Sequence, residues 1–375
     1  MPFDPDYDLP MMRLALDLAK RGWGRTHPNP MVGAVIMEQG RAVAEGWHER
    51  AGGPHAEVAA FQNLGHRPRY DATLYVTLEP CSTVGRTGAC TDLIIERGIK
   101  RVVIGAVDPN PAHAGRGIEI LREAGVEVIE NVLAEECAGL NLIFNHWIVN
   151  QSPLFAAKVA MTLDGKIATR TQHSKWVTGE EARADVMRWR RLFPGIAVGA
   201  GTVLADDPSL TARLPNAKPS CPVRFIFDRH LKTVNMPRAK VFTDEFQART
   251  VVVTSPDAPR AALSQMHDRG IRCWELPNDP PALYYKAFED KCVENNVTGI
   301  LFEGGSGLLS DMLCECRLDY LFAYRAPKLL ADSQALPAFR GLNTSEMDDA
   351  IVLENIEHAV FGPDILTRGY IVYPE

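Results

Sequence analysis

One imidazole, two thiols and a carboxylate occur at spacings that suit metal chemistry: His55-Ala56-Glu57, then Pro80-Cys81, then Cys90. One nitrogen and two sulfurs fill three corners of a tetrahedral Zn²⁺ site and leave the fourth open for water, the mark of a catalytic rather than a structural zinc. Zinc lowers the pKa of its bound water from about 16 to about 7. Glu57 stands two residues from the imidazole, so its carboxylate can reach that water without ligating the metal. It can then take a proton and pass it on, which is general acid–base work. The sequence thus predicts His55, Cys81 and Cys90 as metal ligands and Glu57 as the catalytic acid and base.

These groups must be presented by the right elements. The spacing of apolar residues predicts a helix over Leu9–Arg21, stopped by Gly22, and a hairpin of Met31–Met37 with Arg41–Trp47. A helix over His55–Leu64 would carry His55 and Glu57 in its first turn. Thr73–Leu78 reads as a buried strand delivering Cys81, and Thr91–Arg97 as a helix after Cys90. Strand Arg101–Val107, turn Asp108-Pro109-Asn110-Pro111, helix Ile118–Ala124, strand Val126–Ile129 and one helix over Glu135–Val149 complete the first half. The alternation of strand and helix predicts an α/β fold.

A boundary falls at Asn150-Gln151-Ser152-Pro153, giving domains 1–150 and 151–375 in a chain of 375 residues. Beyond it the pattern restarts with strand Leu154–Met161, helix Glu180–Leu192, strands Ile196–Val198, Val223–Asp228 and Thr250–Thr254, and helix Ala261–Arg269. Strand Thr298–Glu303, helix Gly307–Cys314 and an edge hairpin over Ile351–Tyr373 follow. Two glycine-rich turns, Gly199-Ala200-Gly201-Thr202 and Glu303-Gly304-Gly305-Ser306-Gly307, each lie between a strand and a helix. Such turns let backbone N–H groups approach a phosphate, but a tight strand-to-helix connection explains the glycines equally well. Neither is the G-x-G-x-x-G fingerprint of dinucleotide binding.

Composition bounds the alternatives. The hydrophobic fraction is 46%, the charged fraction 23% and the formal net charge −7, so nothing draws the chain generally to nucleic acid or anionic lipid. No stretch approaches the roughly 18 apolar residues of a membrane span. The acidic start Met1-Pro2-Phe3-Asp4-Pro5-Asp6 lacks a signal-peptide pattern. Eight cysteines in no disulfide framework suit a reducing cytoplasm.

The motif H-x-E followed by P-C and a second cysteine is the layout of zinc-dependent base deaminases. Here the cysteines are separated by Ser82-Thr83-Val84-Gly85-Arg86-Thr87-Gly88-Ala89 rather than by two residues. Nearly end to end the chain resembles the bifunctional riboflavin-biosynthesis deaminase/reductase family. The first half carries the resemblance in Thr26-His27-Pro28-Asn29-Pro30-Met31-Val32-Gly33-Ala34, Ala51-Gly52-Gly53-Pro54-His55-Ala56-Glu57, Tyr75-Val76-Thr77-Leu78-Glu79-Pro80-Cys81-Ser82 and Gly85-Arg86-Thr87. The second half carries it in Lys158 through Lys166, Ser174-Lys175-Trp176-Val177-Thr178, Thr202 through Pro208, Leu210-Thr211-Ala212-Arg213 and Ala326-Pro327-Lys328-Leu329-Leu330.

The resemblance implies a cytidine-deaminase-like α/β/α domain with a mixed sheet, acting on a pyrimidine with zinc. It implies a second domain similar to dihydrofolate reductase that uses NADPH. Carried over by motif, Asn29 and Arg86 would hold the deaminase substrate. His48 would orient that substrate or be an ordinary surface histidine. Ala160, Trp176, Thr202, Asp206, Gly305, Ser306 and Gly307 would contact NADPH. Ser174, Arg190, Leu210, Arg213 and Glu303 would hold a pyrimidine ribosyl phosphate, the arginines suiting a phosphate through their planar forks. Arg229 would touch the cofactor's 2′-phosphate or line a loop. A homodimer is in keeping with such enzymes; nucleic-acid and membrane partners are not. The family's P-C-S-H-x-G-[KR]-T-P-P-C is altered here at Thr83 and Gly88-Ala89, which puts the insert's grip on substrate in question but leaves every ligand in place. Two rivals remain at this level: a nucleic-acid base deaminase with an accessory domain, and a non-catalytic zinc-binding homologue.

Overall fold

Opposite registers of two glycines explain the layering of the first half. In the computed structural model, which describes residues 3–83, 88–111, 113–215, 217–277 and 279–374, the chain divides into two compact units, Met1–Gln151 and Ser152–Glu375. The first unit runs α1 (Pro5–Ala19), β1 (Gly33–Glu38), β2 (Arg41–Trp47), α2 (Ala56–Leu64), β3 (Thr73–Leu78), α3 (Cys90–Arg97), β4 (Arg101–Ala106), α4 (Arg116–Glu123), β5 (Glu127–Ile129), α5 (Ala134–Leu140) and α6 (Leu142–Asn150). Its sheet has the order β2-β1-β3-β4-β5. The β1–β2 and β1–β3 pairs are antiparallel, while β3–β4 and β4–β5 are parallel.

In the β1–β2 ladder Gly33 faces Trp47 and Ala34 faces Gly46, so the two glycines point to opposite sides. A Cβ on Gly33 would lie 2.0 Å from Ala15 O of α1, and one on Gly46 would lie 2.3 Å from Ala56 O and Ala60 N of α2. The helices therefore touch the sheet backbone on opposite faces, giving helix, sheet and helix layers. Ala34, Ile36, Leu74, Val76, Val102 and Ile104 bury one face under Ala60, Phe61, Ile94, Ile118 and Leu121. On the other, α1 is pinned by a buried bidentate pair, Arg101 Nη1 and Nη2 to Asp8 Oδ1 and Oδ2 at 2.9 and 2.8 Å, with Tyr75 donating to Asp8 at 2.9 Å.

The single helix expected over Glu135–Val149 is two, α5 and α6, parted at Asn141. Asn141 accepts from Met31 N at 2.7 Å and donates to Met31 O at 2.9 Å. This clamp on Met31, two residues before β1, outweighs an uninterrupted helix, because Met31 is buried and its backbone groups need partners.

The second unit runs β6 (Leu154–Met161), β7 (Lys166–Ala168), α7 (Glu180–Leu192), β8 (Gly195–Gly199), α8 (Ala200–Asp206), β9 (Val223–Phe227), α9 (Lys240–Thr243), β10 (Thr250–Thr254), α10 (Arg260–Asp268), β11 (Arg272–Glu275), α11 (Pro281–Glu294), β12 (Gly299–Glu303), α12 (Ser306–Cys314), β13 (Tyr320–Arg325), β14 (Leu336–Pro337), β15 (Val352–Phe361) and β16 (Asp364–Val372). Nine strands form one sheet in the order β11-β10-β9-β8-β12-β6-β13-β16-β15. It is parallel from β11 to β13 and closes with the antiparallel β16 and β15. Phe155, Phe225, Phe227 and Phe302 pack one face against Tyr284, Phe288, Leu309 and Met312. Ile196, Val198, Ile226 and Val252 pack the other against Val241, Phe242, Leu263 and Met266. The chain enters the neighbouring strands β8, β12 and β6 in one direction, so their carboxyl ends lie side by side, where open α/β sheets bind ligands. Among the described residues no helix is long and apolar enough to cross a membrane.

Candidate active sites

The three predicted ligands converge. His55 caps the start of α2, Cys90 is the first residue of α3, and Cys81 lies just past β3. Their ligand atoms all lie within 4.8 Å of one another, with Cys90 Sγ 3.3 Å and Cys81 Sγ 3.6 Å from His55 Nδ1. The Cys90 backbone N–H also points at Cys81 Sγ, at 3.4 Å. The hydrogen bond from Cys90 draws Cys81 down to about 4, and the same bond together with burial pushes Cys90 up. His55 is raised, first by its hydrogen bond to Cys81. A soft divalent cation that displaces these protons satisfies all three donors at once, so the donor chemistry fits zinc. Glu57 is buried at 3% exposure in the first turn of α2. Burial pushes its carboxyl up, and it hydrogen-bonds with the Cys90 thiol.

His48 is not a surface residue: it is 3% exposed. Its Nδ1 stands 2.8 Å from Pro54 O, and a carbonyl can only accept, so Nδ1 carries the proton. Nε2 is then an acceptor for Asn29 Nδ2 at 3.2 Å, and burial keeps the ring neutral by pulling its pKa down. Asn29 is thus tied through His48 to the residue preceding the ligand His55, and both expected substrate residues border the metal centre. Arg86 lies outside the described residues.

In the second unit, Glu303 ends β12 and Lys158 is its register partner on β6. Arg190 of α7 forks onto Glu303, Nε to Oε1 at 2.5 Å and Nη2 to Oε2 at 2.8 Å, and its Nη1 donates to Thr211 O at 3.2 Å. Arg213 donates to Ser209 Oγ at 2.7 Å and Thr211 Oγ1 at 3.2 Å. Leu210 between them is buried with a φ of 53°. Arg190, Leu210, Arg213 and Glu303 are therefore one cluster. Among the described residues no hydrogen bond joins Ser174 to it.

Lys158 opens one of the stretches that carry the resemblance, but the sequence assigned it no role. Its Nζ stands 3.7 Å from Glu303 Oε2, and burial pulls its pKa down against the pull of Glu303. Only the β6–β12 register reveals it.

The two glycine turns open α8 and α12 at adjoining strand ends, and Gly305 N donates to Thr202 Oγ1 at 3.2 Å. A Cβ at Gly201 or Gly307 would meet nothing within 4 Å, so the backbone there borders open space. Ser306 Oγ is buried with no hydrogen-bond partner. Two helix starts, open glycines and an orphan hydroxyl fit the phosphates of a dinucleotide. Thr202 and Asp206 are one turn apart on α8, and Ala160 lies two residues beyond Lys158 on β6. Trp176 is 63% exposed, with the Arg183 guanidinium 4.6 Å from its ring centre.

A zinc-type hydrolytic centre on a deaminase-like fold, joined to a reductase-type α/β unit that takes NADPH, defines the class. Residues 6–106 match the cytidine and deoxycytidylate deaminase zinc-binding region, and residues 153–367 match the RibD C-terminal domain. The chain is 43% identical over 367 residues to the riboflavin biosynthesis protein RibD of Actinobacillus pleuropneumoniae, covering 98% of this chain and 96% of that one. It is 41% identical to the same protein of Aquifex aeolicus, covering 88% and 90%. Among solved structures it is similar to Acinetobacter baumannii RibD, with a TM-score of 0.81, 32% identity and 98% and 100% coverage. It is similar also to the Thermotoga maritima diaminohydroxyphosphoribosylaminopyrimidine deaminase/5-amino-6-(5-phosphoribosylamino)uracil reductase, with a TM-score of 0.79, 37% identity and 99% coverage of each. The chain belongs to the RibD family of bifunctional riboflavin-biosynthesis enzymes, a zinc-binding deaminase and an NADPH-using reductase in one polypeptide.

The contact of α2 with Gly46 makes a direct prediction. Gly46→Ala forces a methyl to within 2.3 Å of the α2 backbone, an overpacking that costs about 1–3 kcal/mol and shifts His55 and Glu57. Zinc content and ammonia release should both fall while NADPH oxidation is kept. A metal assay that finds full zinc in Gly46→Ala contradicts this packing account.

Proposed function

We propose that the first unit removes the 2-amino group of 2,5-diamino-6-ribosylamino-4(3H)-pyrimidinone 5′-phosphate, with water as the second substrate and ammonia as the product. The second unit then reduces the ribosyl group of that product to a ribityl chain. The observation that carries the reading is the meeting of His55, Cys81, Cys90 and Glu57 in one buried centre.

Zinc held by His55, Cys81 and Cys90 supplies, when bound, a water acidic enough to deprotonate near neutral pH. Glu57 takes that proton and gives it to the ring nitrogen, then takes the second proton from the added hydroxyl and gives it to the leaving amine, which departs as ammonia, a task suited to a carboxyl whose pKa burial has raised. Asn29, oriented by neutral His48, holds the pyrimidine edge. Thr83 and Gly88-Ala89 leave the ligand set intact, which favours a working centre over a lapsed one. Arg86 remains part of the proposal as a substrate contact.

In the second unit NADPH supplies the hydride that arrives at C1′ of the open-chain imine. The imine nitrogen must gain a proton, and the Lys158–Glu303 pair is where one can be held beside substrate. Arg190 fixes Glu303, and Arg213 with the Ser209–Thr211 turn receives the ribosyl phosphate together with Ser174 and Leu210. Thr202, Asp206, Gly305, Ser306 and Gly307 contact the cofactor at the two glycine turns, and Ala160 and Trp176 contact it as well. All eight cysteines are free, which supports a reducing compartment such as the cytoplasm.

A paired assay tests the reading. Glu57→Gln should retain one zinc per chain, release ammonia roughly 10²–10⁴-fold more slowly, and oxidise NADPH normally when given the deaminated intermediate. Ammonia release at the wild-type rate would refute the assignment of Glu57. We include a homodimer in the proposal, supported by the outer strand β15, which exposes Val352, Ile356 and Val360. Light scattering should then give about twice the chain mass of 41.4 kDa; a mass equal to one chain rejects the dimer.

A further inference from the structure

Glu79 is a buried carboxylate two residues from a metal ligand, and its position invites a second acid–base role. Its hydrogen bonds say otherwise. Oε2 accepts from Asp108 N at 3.1 Å and Gly115 N at 2.9 Å, and Oε1 accepts from Gly117 N at 2.8 Å and Ile118 N at 3.3 Å. Four backbone N–H groups occupy its two oxygens, and among the described residues no lysine or arginine pairs with it. Three of those donors belong to the start of α4, where backbone N–H groups lack partners within the helix and the helix dipole favours a negative charge. The fourth anchors the turn Asp108-Pro109-Asn110-Pro111.

The clamp bears on the metal through the backbone. Glu79 N still donates to Ala106 O at 2.9 Å, continuing the β3–β4 ladder. Pro80 follows with a restricted φ, then Cys81. A Cβ on Gly117 would lie 2.3 Å from Pro80 O and 3.1 Å from Glu79 Oε1, so α4 begins directly against the Pro80-Cys81 peptide. Gly115, with φ 78°, turns the chain into that approach. From the other side, Thr91 N of α3 donates to Cys81 O at 3.2 Å. Cys81 is therefore suspended between two helix starts, one acting directly and one through Glu79.

We infer that Glu79 is a positioning residue for the zinc: it locks the end of β3 to the start of α4 and so fixes where the Cys81 thiolate stands. The inference rests on the reading of His55, Cys81 and Cys90 as the zinc ligands. Glu79→Gln keeps the shape but replaces one acceptor oxygen with an amide donor facing N–H groups. The clamp then loses up to half its bonds and gains a repulsion.

Zinc affinity, measured by chelator competition, should fall roughly 10- to 100-fold, the usual effect of removing a support behind a ligand. The thiolate-to-metal and d–d bands of the cobalt(II) form should shift, a signature that general destabilisation would not produce. Slow amide hydrogen exchange in the strands of the first unit's sheet, away from α4, reports whether the variant is folded there. In the wild type, stripping zinc should speed amide hydrogen exchange at Gly115, Gly117 and Ile118, because coupling between two sites is reciprocal. A folded Glu79→Gln with zinc affinity within threefold of wild type overturns the inference. If the variant does not fold, exchange at those amides that ignores zinc removal overturns it instead. Absence of zinc from the wild type would instead sink the ligand assignment, a separate outcome.

Discussion

The convergence of one imidazole and two thiols on a single point is the constraint on which the first active site depends: the ligand atoms of His55, Cys81 and Cys90 all lie within 4.8 Å of one another. The hydrogen bond from Cys90 pulls the Cys81 thiol down, while that bond and burial push the Cys90 thiol up. A divalent cation would bond all three atoms at once and displace their protons. The convergence is built from element ends. Two helix starts bring His55 and Cys90, and a strand end brings Cys81. Ends of elements carry unspent backbone donors and acceptors, so they can be steered by neighbours without breaking a ladder. Gly46 and Glu79 do that steering, through close packing and a carboxylate clamp.

The second site uses the same device for a different ligand. Helix starts at α8 and α12 meet through the Thr202–Gly305 bond at adjoining strand ends. The glycine backbone at Gly201 and Gly307 borders open space there, a setting that suits a phosphate. The charged cluster of Lys158, Arg190 and Glu303 is nearly enclosed: burial pulls Lys158 down, while Arg190 and Lys158 together hold Glu303 below the usual carboxylate range despite burial. A site that needs both a proton and a hydride is well served by one ionisable trio beside an open glycine cradle.

The two sites differ in how legible they were in the sequence. His55, Glu57, Cys81 and Cys90 could be read because metal ligation restricts residue type and because each ligand sits at a recognisable boundary. The reductase residues could be named only through family resemblance. Arg190 and Glu303 are 113 residues apart, and nothing local records the strand register that seats Lys158 beside them. Glu79 was illegible for another reason: its partners are backbone amides, which have no residue signature. Asn141 was missed because the apolar pattern continues through it, and α11 and β13 passed unread. The surface alternative for His48 fell because its polar atoms are spent on Asn29 and Pro54, which no spacing rule encodes. The open choice between phosphate cradle and plain turn at Gly304–Gly307 leans to the cradle on the buried, unpartnered Ser306 hydroxyl.

X-ray absorption at the zinc K-edge of the purified protein probes the metal centre itself. The account predicts one zinc per chain surrounded by two sulfurs, one imidazole nitrogen and one light atom that no side chain supplies. A shell of four protein donors, or zinc bound without sulfur, would contradict it.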